Sequence, residues 1–195
     1  NGDIFSTMPL DALIAAHKAS GLPVTLALRS HGTAKHIALN ADGNRVIDIH
    51  EKLEVAAGTH VFSGIYCVNP EFIRQIPAHE KISVIPFFLE LAKKNQLGAI
   101  TLDEGIWLDL GDRESYLRAH RELDLAPRVH PSALIHPEAI VIDSVIGPNA
   151  VIEPSAVIRD SVIWPNAKIS GDANLTNCIV CSSSPVHGTH HDADL

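Results

Sequence analysis

Two aspartates stand where chemistry is commonly done. Asp3 follows Gly2 in Asn1-Gly2-Asp3-Ile4-Phe5, a stretch that reads as the end of a strand and a loop. Asp109 lies in Gly105-Ile-Trp-Leu-Asp-Leu-Gly111, at the end of a second strand candidate and just ahead of a glycine and a helix cap. In α/β sheets ligands gather beyond the carboxyl ends of strands. Two carboxylates converging there can hold a hard divalent cation that also grips phosphate oxygens. From spacing alone the commoner reading is that each is a solvated loop carboxylate or a cap, since carboxylates are mostly exposed. A second cluster, Cys178-Ile-Val-Cys181 with His187, His190 and His191, has the residue types of a zinc site. One Cys-x-x-Cys is weak evidence, and both cysteines fall on positions of a repeat, which favours a structural role.

The elements that would position these side chains alternate in type. Pro9 to Ala19 reads as a helix with Leu10, Leu13, Ile14 and His17 at helical spacing, stopped by Ser20-Gly21. Val24 to Arg29 alternates like a strand. His31 to Lys35 reads as loop. Ile37 to Leu39 and Arg45 to Ile49 read as a hairpin around Asp42-Gly43, with Glu51-Lys52 at its end and an exposed loop from Glu54 to Gly58. Thr59 to Val68 is an apolar strand interrupted by Ser63-Gly64, where a glycine lets a backbone or ligand approach. Asn69-Pro70 starts a helix ending at Ile76-Pro77, and Ser83 to Gln96 forms a longer one with Ile85, Phe88, Leu89 and Ala92 on one face. Strands at Ala99 to Leu102 and Ile106 to Leu110 follow. Asp112 then caps a helix through Leu123, and residues 124 to 128 form a linker.

Beyond the linker the chain repeats itself. Val129-His-Pro-Ser-Ala133 returns as Ile146-Gly-Pro-Asn-Ala150 and as Ile163-Trp-Pro-Asn-Ala167, at an offset of 17 residues. Such a period marks a solenoid whose units bury their apolar side only by stacking on neighbours. Aliphatic residues recur at steps of six, six and five, which fits a triangular coil of three short strands. Alanines are placed at the tight corners and prolines just before them. The hexads resemble the hexapeptide-repeat left-handed parallel β-helix, here of about four coils, with residues from His187 on as a polar tail. Trp164 falls beside a corner proline and reads equally as an exposed contact residue or as a partly buried one.

The overall reading is therefore α/β, a partial doubly wound (Rossmann-like) sheet over residues 1–123, followed by a left-handed β-helix over 124–195. The formal charge of -8 argues against nucleic acid or an anionic membrane as partner. No apolar run approaches the ~20 residues of a membrane helix. Three cysteines are too few for a disulfide scaffold and suit a reducing cytoplasm.

Four motifs, Asn1-Gly2-Asp3, Glu51-Lys52, Phe62-Ser-Gly64-Ile-Tyr66 and Trp107-Leu-Asp109-Leu-Gly111, occur in the order found in sugar-1-phosphate nucleotidylyltransferases. The resemblance covers nearly all of the chain, because many members carry a C-terminal left-handed β-helix. The family includes mannose-1-phosphate guanylyltransferases and the glucose-1-phosphate thymidylyl-, uridylyl- and adenylyltransferases. It implies that Asp3 and Asp109 bind catalytic Mg²⁺ and that Lys52 contacts the sugar phosphate. It also implies that Glu51 hydrogen-bonds sugar hydroxyls, that the Gly64 backbone lies against the sugar, and that Trp107 lines that wall. The implied substrates are a sugar 1-phosphate and a nucleoside triphosphate, and a homo-oligomer through the β-helix is expected.

The departures are as informative. Leu53 stands where a proline usually follows Glu-Lys, Lys35-His36 where Tyr-Gly is usual, and Asp112 where a threonine is usual. The family's glycine-rich loop, with its arginine and lysine for the triphosphate, has no counterpart here. The expectation is a chain whose true beginning is missing and which is inactive by itself. Two rival readings remain: a non-catalytic scaffolding or regulatory subunit, and a hexapeptide-repeat acyltransferase or zinc carbonic-anhydrase-like trimer. The last would have only His130 and His136 as repeat histidines.

Overall fold

The computed structural model describes residues 2–32, 34–123 and 127–195. Asn1 of the first motif, Thr33 of the expected loop and linker residues 124–126 lie outside the described residues. The chain divides into two compact units, Asn1–Trp107 and Leu108–Leu195.

The first unit runs β1 (Ile4–Ser6), α1 (Leu10–Ser20), β2 (Val24–Arg29), β3 (Ile37–Leu39), β4 (Val46–Ile49), β5 (Val61–Val68), α2 (Pro70–Ile73), α3 (Ile85–Lys93) and β6 (Leu97–Thr101). Strand β2 is central, pairing antiparallel with β5 and parallel with β6. All six of its residues are buried, so the alternation in its sequence separates two covered faces rather than a core face from a wet one. Val24, Leu26 and Leu28 join a core with Phe72 of α2 and Phe88, Leu91 and Ala92 of α3. Ala27 points the other way, toward Leu13 of α1 together with Met8 and Leu102. The period of two along a strand thus feeds helices on both sides, which is the layered α/β arrangement.

Three helices differ in detail from expectation. In α1 only Leu13 is buried, while Leu10 and Ile14 remain exposed. His17 is a polar bridge, its ring nitrogens lying 3.0 Å from Thr25 Oγ1 and 3.1 Å from Asn69 Oδ1. Asn69 precedes α2 but makes no side-chain cap bond, because its amide is committed to His17 and to the Leu22 carbonyl. Helix α2 is a single turn, and α3 starts at Ile85 rather than Ser83 and ends at Lys93.

In the second unit α4 (Arg113–Glu122) is capped by Asp112, whose Oδ1 accepts the Ser115 amide at 2.8 Å. The remainder is a parallel β-solenoid of about three turns, with a fourth strand on one face. Its registers repeat the sequence offset: Ile135, Ile152 and Ile169 stack on one face, Val141, Ile158 and Leu175 on the next, Ile146, Ile163 and Val180 on the third. Ser144, Ser161 and Cys178 form an internal ladder. Each hydroxyl accepts the backbone N–H of the next member, at 3.1 Å and 3.0 Å, and each side chain donates to the carbonyl two residues before it.

The corners correct one expectation. Ala150, Ala156, Ala167 and Ala173 are buried inward. The sharp turn is taken by the residue before the alanine, with positive φ at Asn149 (57°), Ser155 (72°) and Asn166 (64°). Asparagine tolerates that left-handed conformation because its short side chain bonds locally. The polar tail is also ordered: Thr189–His191 pairs in register with Asn174–Thr176, the Ile179 amide of the last coil donates to the Ala193 carbonyl, and the Leu195 amide donates back to the Ile179 carbonyl. A strand there satisfies backbone groups that the third coil would otherwise leave at an open edge.

Candidate functional site

Glu51 and Lys52 share one tight turn after β4. His50, Glu51 and Glu54 all have positive φ, near 55°. Non-glycine residues adopt this conformation at a cost and keep it where surrounding groups over-determine it. Two anchors do so here. The His50 ring stacks on His36, with centroids 4.4 Å apart and planes 10° apart, and the His50 amide donates to the His36 carbonyl. Beneath the turn Asp48 is fully buried. Its Oδ1 accepts the Ile49 and Leu53 amides at 2.7 and 3.0 Å, and its Oδ2 accepts the Val55 amide at 3.0 Å. Burial by itself would raise this carboxyl's pKa. The amides of Val55, Leu53, Ile49 and Lys52 outweigh it and hold the group below the usual carboxylate value. At His50, burial and then the neighbouring His36 and Lys52 keep the imidazole below its ordinary value. A hollow of about 440 Å³, lined by Glu51, Glu54, Val55, Ala56 and Ala57, opens beside the turn.

Gly64 lies inside β5, where the register against β2 shifts between Leu26 and Leu28. Its φ of 79° is one that side-chain-bearing residues resist. The bulge is fixed from inside by Ser63, whose buried hydroxyl donates to the Ala27 carbonyl at 2.7 Å. It is also held by Trp107, whose Nε1–H donates to the Ser63 carbonyl at 2.8 Å. The expected partners Gly64 and Trp107 are thus brought together. The interruption seen in the sequence is a bulge within one continuous strand.

Asp3 is exposed ahead of β1. The segment after β1 is bound to the segment leading into Trp107, by Thr7 N–H to the Ile106 carbonyl and Ile106 N–H to Thr7 Oγ1, both 2.9 Å. Strand Trp107–Asp109 crosses the division between the units, so Asp109 is counted with the second. Its exposed carboxylate accepts the Gly111 amide at 3.1 Å. Neither aspartate takes part in an ion pair among the described residues. Both carboxylates are oxygen donors of the kind hard cations take, and no group of three or more such ligands gathers among the described residues.

Sequence reasoning missed two buried charges. Besides Asp48, the end of β2 holds Arg29, 7% exposed, whose guanidinium donates to the carbonyls of Leu102, Glu104 and Gly105 at 3.2 to 3.4 Å. Beside it Asp103 takes both the amide and the hydroxyl of Ser30, and lies 3.2 Å from His31. This network fixes the loop that leads into Trp107. The one sequence signal was a charged residue closing an otherwise apolar strand.

The zinc alternative finds no support in geometry. Cys178 is a buried member of the solenoid ladder and Cys181 is exposed. No group of three or more ligand-type residues gathers for a metal among the described residues. His187 is engaged with Asp172 at 3.0 Å. Trp164 is 44% exposed and lines an open cleft with Tyr116, Arg113, Ile179 and Asp194.

Comparison with known proteins gives the chain's family. The nucleotidyl transferase family model matches residues 1–125, and the model described as GlmU-like, C-terminal hexapeptide matches residues 128–190. The chain belongs to the nucleotidyl transferase family. Its sequence is 28% identical over 138 residues to the Arabidopsis thaliana protein named "Probable mannose-1-phosphate guanylyltransferase 2", covering 69% of this chain and 38% of that one. It is 26% identical over 156 residues to mannose-1-phosphate guanylyltransferase catalytic subunit beta of Danio rerio, covering 72% and 43%. With the Dictyostelium discoideum protein of the same name it shares 26% over 120 residues, covering 60% and 33%. The chain therefore spans less than half the length of these relatives. No described helix is long and apolar enough to cross a membrane.

Proposed function

We propose that this chain supplies the sugar-phosphate side of a nucleotidyl transfer, in which a sugar 1-phosphate and a nucleoside triphosphate give an NDP-sugar and pyrophosphate. The observation that carries the reading is the pinned turn presenting Glu51 and Lys52, in a chain of this family. Lys52 offsets the repulsion between two phosphate anions and holds the attacking phosphate oxygen near its target. Glu51 accepts hydrogen bonds from sugar hydroxyls. Gly64 lets the sugar lie against backbone, and Trp107 forms a wall whose position is set by its bond to Ser63. Asp3 and Asp109 would hold Mg²⁺, which supplies charge neutralisation at the phosphates. The names of the relatives favour mannose 1-phosphate and a guanine nucleotide. A cytoplasmic location and a homo-oligomer through the solenoid belong to the same reading, the latter supported by the exposed apolar residues Leu134, Ile140 and Ile142 on its first coil.

The test is a titration of the chain with mannose 1-phosphate and glucose 1-phosphate, with and without Mg²⁺, followed by amide spectra. Shifts centred on Glu51, Lys52, Gly64 and Trp107, lost in Lys52→Ala, are expected. Absence of any such response at millimolar ligand would remove the reading. Because these residues include no Gly-x-Gly-x-x-Gly stretch, pyrophosphate release from the chain alone is expected to stay at background. Robust turnover would show that the triphosphate is held by other means.

A further inference from the structure

We propose that Asp48 is a positioning residue for the sugar phosphate: a buried carboxylate that locks the Glu51-Lys52 turn into its binding shape before any ligand arrives. The inference rests on the function proposed above and deepens it.

The turn is built against local preference. Three of its non-glycine residues, His50, Glu51 and Glu54, are left-handed. A short exposed segment of this kind relaxes unless something on its inner side holds it. Asp48 is the inner group, and it sits at the start of the turn it organises. It binds amides one, five and seven residues further on, so its two oxygens close the loop at both ends and around Lys52. No charged side chain is paired with it among the described residues; its charge is met by backbone amides. Charge-assisted bonds of this kind are the stronger class, and a buried acceptor is costly to leave unmet. The Leu53 amide is one of the three donors, and a proline at that position would have none to give. With the turn held in advance, binding does not have to order the backbone that carries Glu51 and Lys52, and that ordering cost is what preorganisation removes. Asp48 is itself fully buried, so it acts through Glu51 and Lys52.

The experiment has two parts. Amide hydrogen exchange on the wild-type chain reads Leu53 and Val55 with and without sugar 1-phosphate. Both are expected to be protected already in the free protein, with little further gain on binding. Exchange that is fast in the free protein and slows only with ligand overturns the proposal without any mutant. Then Asp48→Asn, Glu51→Ala/Lys52→Ala and the triple variant are compared for sugar-phosphate affinity by titration. Asp48→Asn is expected to weaken binding about tenfold, as small misplacements of binding groups do. Any residual affinity of Glu51→Ala/Lys52→Ala should be unchanged by it, since a residue acting through others has no effect once they are gone. A loss that persists in that background, or a folded Asp48→Asn protein that binds like wild type, overturns the proposal while the functional reading stands. A wild-type chain that binds neither sugar phosphate sinks the functional reading, and this proposal with it.

Discussion

Replacing Ile152 by alanine should cost the solenoid much more than the same change at Ile135. The two occupy equivalent positions one coil apart, with Ile135, Ile152 and Ile169 in register on one face. Ile152 is 1% exposed and stacked between the other two, whereas Ile135 is only partly buried and pairs on one side. Isoleucine to alanine in a core costs about 2–5 kcal/mol, the upper part applying where the site cannot collapse. A side chain held between two coils is such a site, so Ile152→Ala is expected to cost roughly 4 kcal/mol. With one neighbouring coil and partial exposure, Ile135→Ala should cost about half of that, because solenoid stability is close to a sum of nearest-neighbour terms. For a unit of this size each kcal/mol moves Tm by about 4–8 °C, so the midpoints should fall by roughly 15–30 °C and 8–16 °C. Scanning calorimetry and urea unfolding of both variants give the two values. Equal losses at the two positions, or a loss below about 1 kcal/mol at Ile152, would refute nearest-neighbour stacking as the source of stability.

Other outcomes follow from the same geometry. Gly64→Ala must hold φ near 79° and should destabilise the first unit by about 1 kcal/mol or more, and weaken sugar-phosphate binding further; an unchanged urea midpoint would count against the bulge. Trp107→Phe removes the donor to the Ser63 carbonyl and should cost about 1 kcal/mol, visible as faster exchange of amides around the bulge. Burial holds His120 below its ordinary value, as burial with His36 and Lys52 does His50. Imidazoles depressed in the folded state destabilise it as pH falls below the unfolded value of about 6.5, and leave it unaffected well above. Stability should therefore decline as pH falls below about 6.5, less so in His120→Gln, with urea midpoints as the measurement.

The solenoid was legible in the chain because its order is local. Each coil meets the next 17 residues on, so Ile146, Ile163 and Val180 carry the spatial repeat in their spacing. The hairpin around Asp42-Gly43, the cap at Asp112 and the strand β2 were legible for the same reason, as short-range patterns. The candidate residues Glu51, Lys52, Gly64 and Trp107 were found by motif, and the fold joins Gly64 to Trp107 through Ser63 across more than forty residues. What the chain alone did not disclose is which polar residues go inside. Asp48 and Arg29 look like surface charges in one dimension. Arg29 meets its carbonyls more than seventy residues on, and Asp48, though its amides lie within seven residues, meets them only because the turn after it takes a left-handed path and the fold buries it; the structure supplies both, which makes the burial tolerable. The tail made the same point: His190 lies in a strand because Leu175 offers it a ladder, not because its own neighbours favour one.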